Sequence, residues 1–190
     1  MESNMLNPQR TIVELEDIAY LFLKGRGTDD KGRRVHEYLL FDETMLEGCH
    51  GWIQWAFPIS TPSRYNPLAG QIFAGTAPSR YRRGGTIRDN QTKLLNLYLA
   101  SVGIGPDDAY DEIDLNKFFQ VVDSPKNHHM LRLSRVLKNL MLSDRRLTAQ
   151  WVYETLMQAA MANPNGFEVK TIAYWSSIVL QFDHQTEGKL

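Results

Sequence analysis

Residues 42–58 read DETMLEGCHGWIQWAFP, and the fold turns on whether this stretch is a helix. Asp42 is a natural N-cap and Pro58 a natural stop, since proline has no N–H to continue a helical ladder. Gly48 and Gly51 weaken the interior by about 1 kcal/mol each relative to alanine, so a break at the glycines is the alternative to one helix over residues 43–57. At roughly 100° per residue, Glu43, Glu47, His50 and Gln54 fall within about 60° of one another. Met45, Trp52, Ile53, Trp55 and Ala56 take the opposite side, which predicts an amphipathic helix with both tryptophans turned to the core.

A second stretch has the same rhythm. Residues 124–141, SPKNHHMLRLSRVLKNLM, begin with Ser124 and Pro125 as N-cap and first helical residue. His128, Arg132, Arg135 and Asn139 align on one face, and Leu133, Val136, Leu137, Leu140 and Met141 on the other. Both polar stripes run 4, 3, 4. One is acidic and one basic, so pairing of Glu43 and Glu47 with Arg132 and Arg135 is the specific expectation, because the guanidinium fork fits a carboxylate. Two separately solvated faces, or arginines turned to a cavity that holds an anion, are the other readings. His128 and His129 lie in a first helical turn, where the dipole disfavours imidazolium, and are expected to be neutral.

The rest of the chain agrees with an all-α fold. Helical spacing recurs over residues 11–24, 86–102, 111–122, 143–161 and 168–182, and no stretch alternates with period two. The expectation is a single-domain, irregular bundle of about six to seven helices over residues 1–190, with polar tails at 1–9 and 183–190. Residues 25–32 read as a solvated loop. Four prolines and four glycines between residues 58 and 85 predict a long irregular segment, in which Pro-Ser-Arg-Tyr occurs at 62–65 and again at 78–81.

Composition limits the function classes. A net charge of -1 gives no global attraction to nucleic acid or anionic membrane. No apolar run approaches the roughly 20 residues of a membrane span, and the polar N-terminus has no secretory pattern. With one cysteine, Cys49, no internal disulfide forms, and a reducing cytoplasm is the expected address. Cys49 and His50 are neighbours pointing about 100° apart, so they cannot make a nucleophile–base pair with each other; Cys49 reads as buried and inert. His50 reads as a histidine hydrogen-bonded in or at the edge of the core. Glu47-x-x-His50 has the ligand spacing of a di-iron bundle, but that site needs a second copy and two more glutamates. No metal or cofactor is expected. The compact basic run Arg80, Tyr81, Arg82, Arg83 and Arg88 offers phosphate contacts and one ring for base stacking, against a plain solvated loop.

Residues 46–58 (LEGCHGWIQWAFP) resemble the LE..H.YIQWLFP signature of the opioid growth factor receptor domain family. Residues 62–67 (PSRYNP) are similar to that family's following loop, and residues 128–137 (HHMLRLSRVL) to its HN.LRITRIL helix, in the same order. The resemblance spans residues 38–177. Trp52 stands where the family has tyrosine and His129 where it has asparagine, and residues 70–85 do not resemble the family's helical link. The resemblance marks Glu47, His50, Gln54, Asn66, His128, Arg132 and Arg135 as motif positions and possible binding residues. It implies a helical domain. Vertebrate members are perinuclear or nuclear receptors for an enkephalin-type peptide, whereas short bacterial relatives, which this chain matches in length, have no settled function.

No catalytic constellation can be assembled from these residues. The reading is a non-enzymatic domain that binds a peptide or protein partner. The alternatives are a nucleic-acid-binding protein using residues 80–88, and an enzyme or binder for an anionic small molecule near His50, Arg132 and Arg135.

Overall fold

A computed structural model describes residues 11–73, 79–81, 85–105 and 113–181. Among them the chain is all-α, with nine α-helices, a short 3-10 turn and no strand beyond an isolated bridge between Ile104 and Ile113. Helix α1 (Ile12–Leu23) opens on a capping box in which Thr11 and Glu14 satisfy each other's backbone N–H groups. Next come α2 (Val35–Tyr38), α3 (Glu43–Gly48), α4 (Trp52–Ala56) and α5 (Gly85–Ser101). Helices α6 (Leu115–Val121), α7 (His128–Leu142), α8 (Arg146–Ala162) and α9 (Val169–Gln181) complete the order.

The seven helical stretches read from sequence are all present, and the surplus over that reading has two sources. One is α2, just after the segment 25–32 expected to be a solvated loop. That segment is instead organised around Asp29, a buried carboxylate that accepts hydrogen bonds from the Tyr38 hydroxyl (2.7 Å), Arg33 Nε (2.8 Å) and the backbone N–H of Lys31 and Arg33. These donors hold the Asp29 pKa below the ordinary carboxylate value against the opposing effect of burial. The other source is a break at Cys49–His50–Gly51, which divides the stretch 43–57 into α3 and α4.

That break leaves backbone carbonyls without helical partners, and side chains replace them. The Leu46 carbonyl accepts from the Trp52 indole N–H (2.9 Å), and the Glu47 carbonyl from Arg132 (3.3 Å). The break also rotates Met45 out of the apolar face, leaving it exposed, while Trp52, Ile53, Trp55 and Ala56 are buried as their spacing predicts. Beyond Pro58 the chain stays irregular to residue 73 yet packs closely. Gly70 lies against α1 so tightly that a Cβ would meet the Ala19 nitrogen at 2.4 Å, and the Gln71 N–H donates to the Leu15 carbonyl (3.0 Å).

Two helix starts shift from the sequence reading. Helix α7 begins at His128 rather than at Pro125, because Asn127 is the better cap. Its side-chain oxygen accepts the His129 N–H (2.9 Å) while its amide donates to the Val121 carbonyl (3.0 Å). Helix α8 begins at Arg146 rather than near Ser143, whose hydroxyl donates back to the Asn139 carbonyl (2.8 Å).

Helices α7, α8 and α9 pack mutually, and α1 lies on α4 and α5. One hydrophobic cluster takes residues from all nine helices, with Trp52, Trp175, Tyr38, Tyr98 and Phe22 among its fully buried members. No helix among the described residues is long and apolar enough to cross a membrane.

Trp55 tests this packing. It is 4% exposed, its ring lies 5.2 Å from that of Phe22, and its indole N–H donates to Asp30 (3.0 Å). Trp55→Ala is expected to lower the unfolding free energy by about 3–5 kcal/mol, read from denaturant titration; an unchanged midpoint would mean the indole adds nothing to the core.

Candidate functional site

The polar stripe of α7 faces the segment 47–58 along its whole length. Glu47 receives Arg132 Nη1 (3.1 Å), and its oxygens also meet His128 Nε2 (2.9 Å) and His129 Nε2 (3.1 Å). One turn on, Arg135 Nη1 donates to the Phe57 carbonyl (3.1 Å). A further turn on, the fully buried Asn139 donates to the Pro58 carbonyl (2.7 Å) and accepts from Gln91 (2.7 Å), whose amide also donates to the Ala56 carbonyl (3.2 Å). Pro58 ends α4, and the carbonyls of Ala56, Phe57 and Pro58 are all satisfied by side chains from α5 and α7.

The expected pairing of stripes is thus formed at Glu47–Arg132 and not elsewhere. Glu43 pairs with Lys117 on α6 (2.6 Å) instead. Arg135 meets a backbone carbonyl, because the break at residues 49–51 carries Gln54 away from the face that holds Glu47. Gln54 is buried and turns its amide to the carbonyls of His50 and Gly51. His50 is exposed rather than at the core edge, its ring 6.4 Å from that of His128. Glu47 therefore meets His128 and His129, not His50 as the Glu-x-x-His spacing proposes. Cys49 is half-buried rather than buried and accepts a hydrogen bond from Arg33 (2.9 Å). Asn66 is buried and donates to Asp30 (3.0 Å), which fixes the loop behind α4.

The electrostatics follow from burial. Burial opposes charge on Glu47, but His128, Arg132 and His129 hold its pKa below the ordinary carboxylate value. Burial, with Arg132 and His128 adding to it, lowers the His129 pKa to about 4, so the imidazole is neutral at pH 7. Its Nε2–H then donates to Glu47, and its Nδ1 accepts from the buried Tyr98 hydroxyl (3.2 Å). Burial lowers Arg135 to about 10, which leaves it charged at pH 7.

Beside this contact line opens a groove of about 1040 Å³ between α4, the loop at residues 59–65, α7 and the start of α9. Its charged lining is wholly basic: Arg64, Arg132, Arg135, Lys138 and Lys170, with His50 and His128 at one end and no carboxylate. Leu131, Tyr65 and Tyr174 add exposed apolar surface. Lys170 is paired with Glu168 (2.9 Å) and Arg132 with Glu47, whereas among the described residues no carboxylate lies within 4 Å of Arg64, Arg135 or Lys138. Sequence reasoning named Arg132, Arg135 and His50 but missed Arg64, Tyr65, Lys138 and Tyr174. Only the packing of α9 and the 59–65 loop against α7 brings these together.

The basic run at residues 80–88 takes a different form from the one expected. Tyr81 is 3% exposed and packs on Tyr20, so its ring is closed to a base. Arg80 pairs with Asp17 and Glu16 and lies over the Tyr20 ring. Arg88 is exposed, and Arg82 and Arg83 lie outside the described residues. The two Pro-Ser-Arg-Tyr copies therefore differ: Arg64 and Tyr65 rim the groove, and Arg80 and Tyr81 anchor α1.

Protein-family models, curated proteins and solved structures give no match to this chain, so the reading of the groove rests on its geometry.

Two outcomes are expected. In double-mutant cycles to alanine, Glu47 and Arg132 should couple by about 1–2 kcal/mol, reduced from a fully buried pair because Glu47 is half open to water. Glu47 and Arg135 should be additive within about 0.5 kcal/mol. Thermal midpoints should also fall as pH drops from 6.5 to about 4. Across that window the unfolded chain protonates His129 and the folded chain does not. His129→Gln should flatten that slope, and an unchanged slope would remove His129 as its source.

Proposed function

We propose that this chain is a non-enzymatic binding domain whose groove takes an acidic peptide segment of a partner protein, with apolar side chains between its carboxylates. The observation that carries this reading is the lining of the groove, basic and apolar with no carboxylate among the described residues, in a chain whose net charge is -1. The positive charge is a local feature, and local charge of one sign selects a partner of the other.

Arg135 gives the reading its anchor. It is a charged guanidinium with one backbone acceptor and no carboxylate, so a ligand carboxylate finds several N–H donors open and no ion pair to displace. Lys138 sits one residue short of the next turn of α7, and Arg64 faces the same space from the 59–65 loop. Leu131, Tyr65 and Tyr174 supply contact area for apolar side chains. A volume of about 1040 Å³ reaches the upper end of the roughly 300–1,000 Å³ of small-molecule sites, which favours a stretch of several residues over a single small anion. The resemblance to the opioid growth factor receptor domain family, whose vertebrate members take a peptide, supports the same class of partner. A reducing, cytoplasmic setting is part of this proposal.

Fluorescence polarisation with a labelled peptide of alternating glutamate and leucine tests it, beside the lysine and leucine counterpart. The acidic peptide is expected to saturate, to weaken with added salt, and to weaken about tenfold in Arg135→Gln, or about 1.4 kcal/mol. The glutamine amide ends two bonds short of the Nη1 that reaches the Phe57 carbonyl, so circular dichroism and a melting curve check that the variant folds. Equal binding of both peptides, or indifference to Arg135→Gln, would overturn the proposal. Full competition by inorganic phosphate or citrate, with no preference for the peptide, would transfer the groove to small anions.

A further inference from the structure

At one end of the groove, apart from Arg64, Arg135 and Lys138, lies a cluster to which the peptide reading gives no role. We propose that Glu47, His128 and His129 form a binding site for a divalent transition-metal ion of the zinc class.

The geometry comes first. One atom from each side chain, a Glu47 carboxylate oxygen and an imidazole nitrogen of each histidine, lies within 4.8 Å of the other two. His128 Nε2 is 2.9 Å from Glu47 Oε1, and His129 Nε2 is 3.1 Å from Glu47 Oε2. A tetrahedral ion with bonds of about 2.0–2.1 Å separates its ligand atoms by about 3.3 Å; both histidine Nε2 atoms lie 3.1 Å from Glu47 Oε2, within a few tenths of an ångström of that value, and the two imidazoles offer nitrogens within 4.8 Å of each other. Two imidazoles and one carboxylate suit zinc, cobalt or nickel better than calcium or magnesium, which favour all-oxygen shells.

The surroundings supply what a metal site needs beyond its ligands. His129 is buried and its Nδ1 lies 3.2 Å from the Tyr98 hydroxyl, whose oxygen would accept the Nδ1–H once Nε2 bonds the metal. Arg132 Nη1 holds Glu47 Oε2 at 3.1 Å and fixes the carboxylate. That guanidinium offsets the one ligand charge, so the two imidazole nitrogens must carry much of the affinity. His128 and Glu47 are half-exposed, which leaves an entry path. The exposed His50 ring stands 6.4 Å from the His128 ring.

The same residues also make sense without metal, with both imidazole N–H groups and Arg132 donating to Glu47, and the experiment must separate the two states. The full chain, stripped with chelator, is titrated with zinc alone by calorimetry at pH 7 and with cobalt alone by visible absorption. The expected results are uptake of one ion per chain, cobalt bands of four- or five-coordinate intensity, and a zinc-dependent rise in melting temperature. His128→Gln and Glu47→Gln should each weaken zinc binding at least tenfold, while Cys49→Ser and His36→Gln leave it unchanged. His128 is half-exposed, so its variant is expected to fold, and circular dichroism checks that. No uptake at millimolar zinc, or uptake indifferent to both His128→Gln and Glu47→Gln, would overturn the site. No peptide enters this titration, so its outcome is independent of what the groove binds.

Discussion

The structure depends on one constraint: the backbone of residues 46–58 cannot satisfy its own carbonyls. A helix interrupted by Gly48 and Gly51 and stopped by Pro58 leaves acceptors open at the partly exposed break and at the end, where Ala56, Phe57 and Pro58 are buried away from water. An unmet carbonyl in such a place costs about 1–3 kcal/mol. Arg132, Arg135 and Asn139 reach across from α7 to meet three of them, and Gln91 from α5 and Trp52 meet two more. The stripe that looks like a solvated face in projection is therefore a row of donors that serves Glu47 at one end and the carbonyls of Phe57 and Pro58 at the other.

Side chains used this way are held in place, and that is what shapes the groove. Asn139 and Gln91, both fully buried, fix the depth at which α4 sits against α5 and α7. Arg132 is locked by a carboxylate and a carbonyl together, and it carries Glu47 against the two histidines. The loop after Pro58 is directed along α7 rather than away from it, because the Pro58 carbonyl is tied down. Arg64 and Tyr65 consequently arrive at the rim opposite Tyr174 of α9.

The parts legible in the sequence are those set by local periodicity. The apolar faces of α1, α5, α7, α8 and α9 follow from spacing alone, and so do the core positions of Trp52 and Trp55. Caps were legible as residue types but not always as winners: Asn127 takes the start of α7 from Ser124 because it also bonds the Val121 carbonyl, a contact that exists only once α6 is placed. The loop around Asp29 looked solvated because its composition is polar. Its burial depends on Tyr38 folding back over it, and no local pattern encodes that. In the site, Glu47–Arg132 was legible through matched stripes, yet the break at residues 49–51 put Gln54 and His50 in places a continuous helix would not. Lys138, Arg64 and Tyr174 share no motif; three separate segments must pack before they are neighbours.

The two arginines of α7 show why the same residue on the same face can carry different work. Burying a guanidinium is costly, and α7 offsets that cost in two ways. Arg132 has a full carboxylate partner, so any ligand that wants it must compete with Glu47, and its charge is already spent inside the protein. Arg135 has only the negative end of a carbonyl dipole, which does not occupy its fork; burial lowers its pKa to about 10, which still leaves it charged at pH 7. A ligand anion at Arg135 therefore gains a charged hydrogen bond while removing nothing from the fold. A cation near Glu47 meets the opposite situation: Oε2 is shared by Arg132 and His129, while Oε1 lies 2.9 Å from His128 Nε2 on a half-exposed side chain. Within two turns of one helix, the stripe offers an acceptor of anions and a set of ligands for cations, and the difference originates in where α3 breaks.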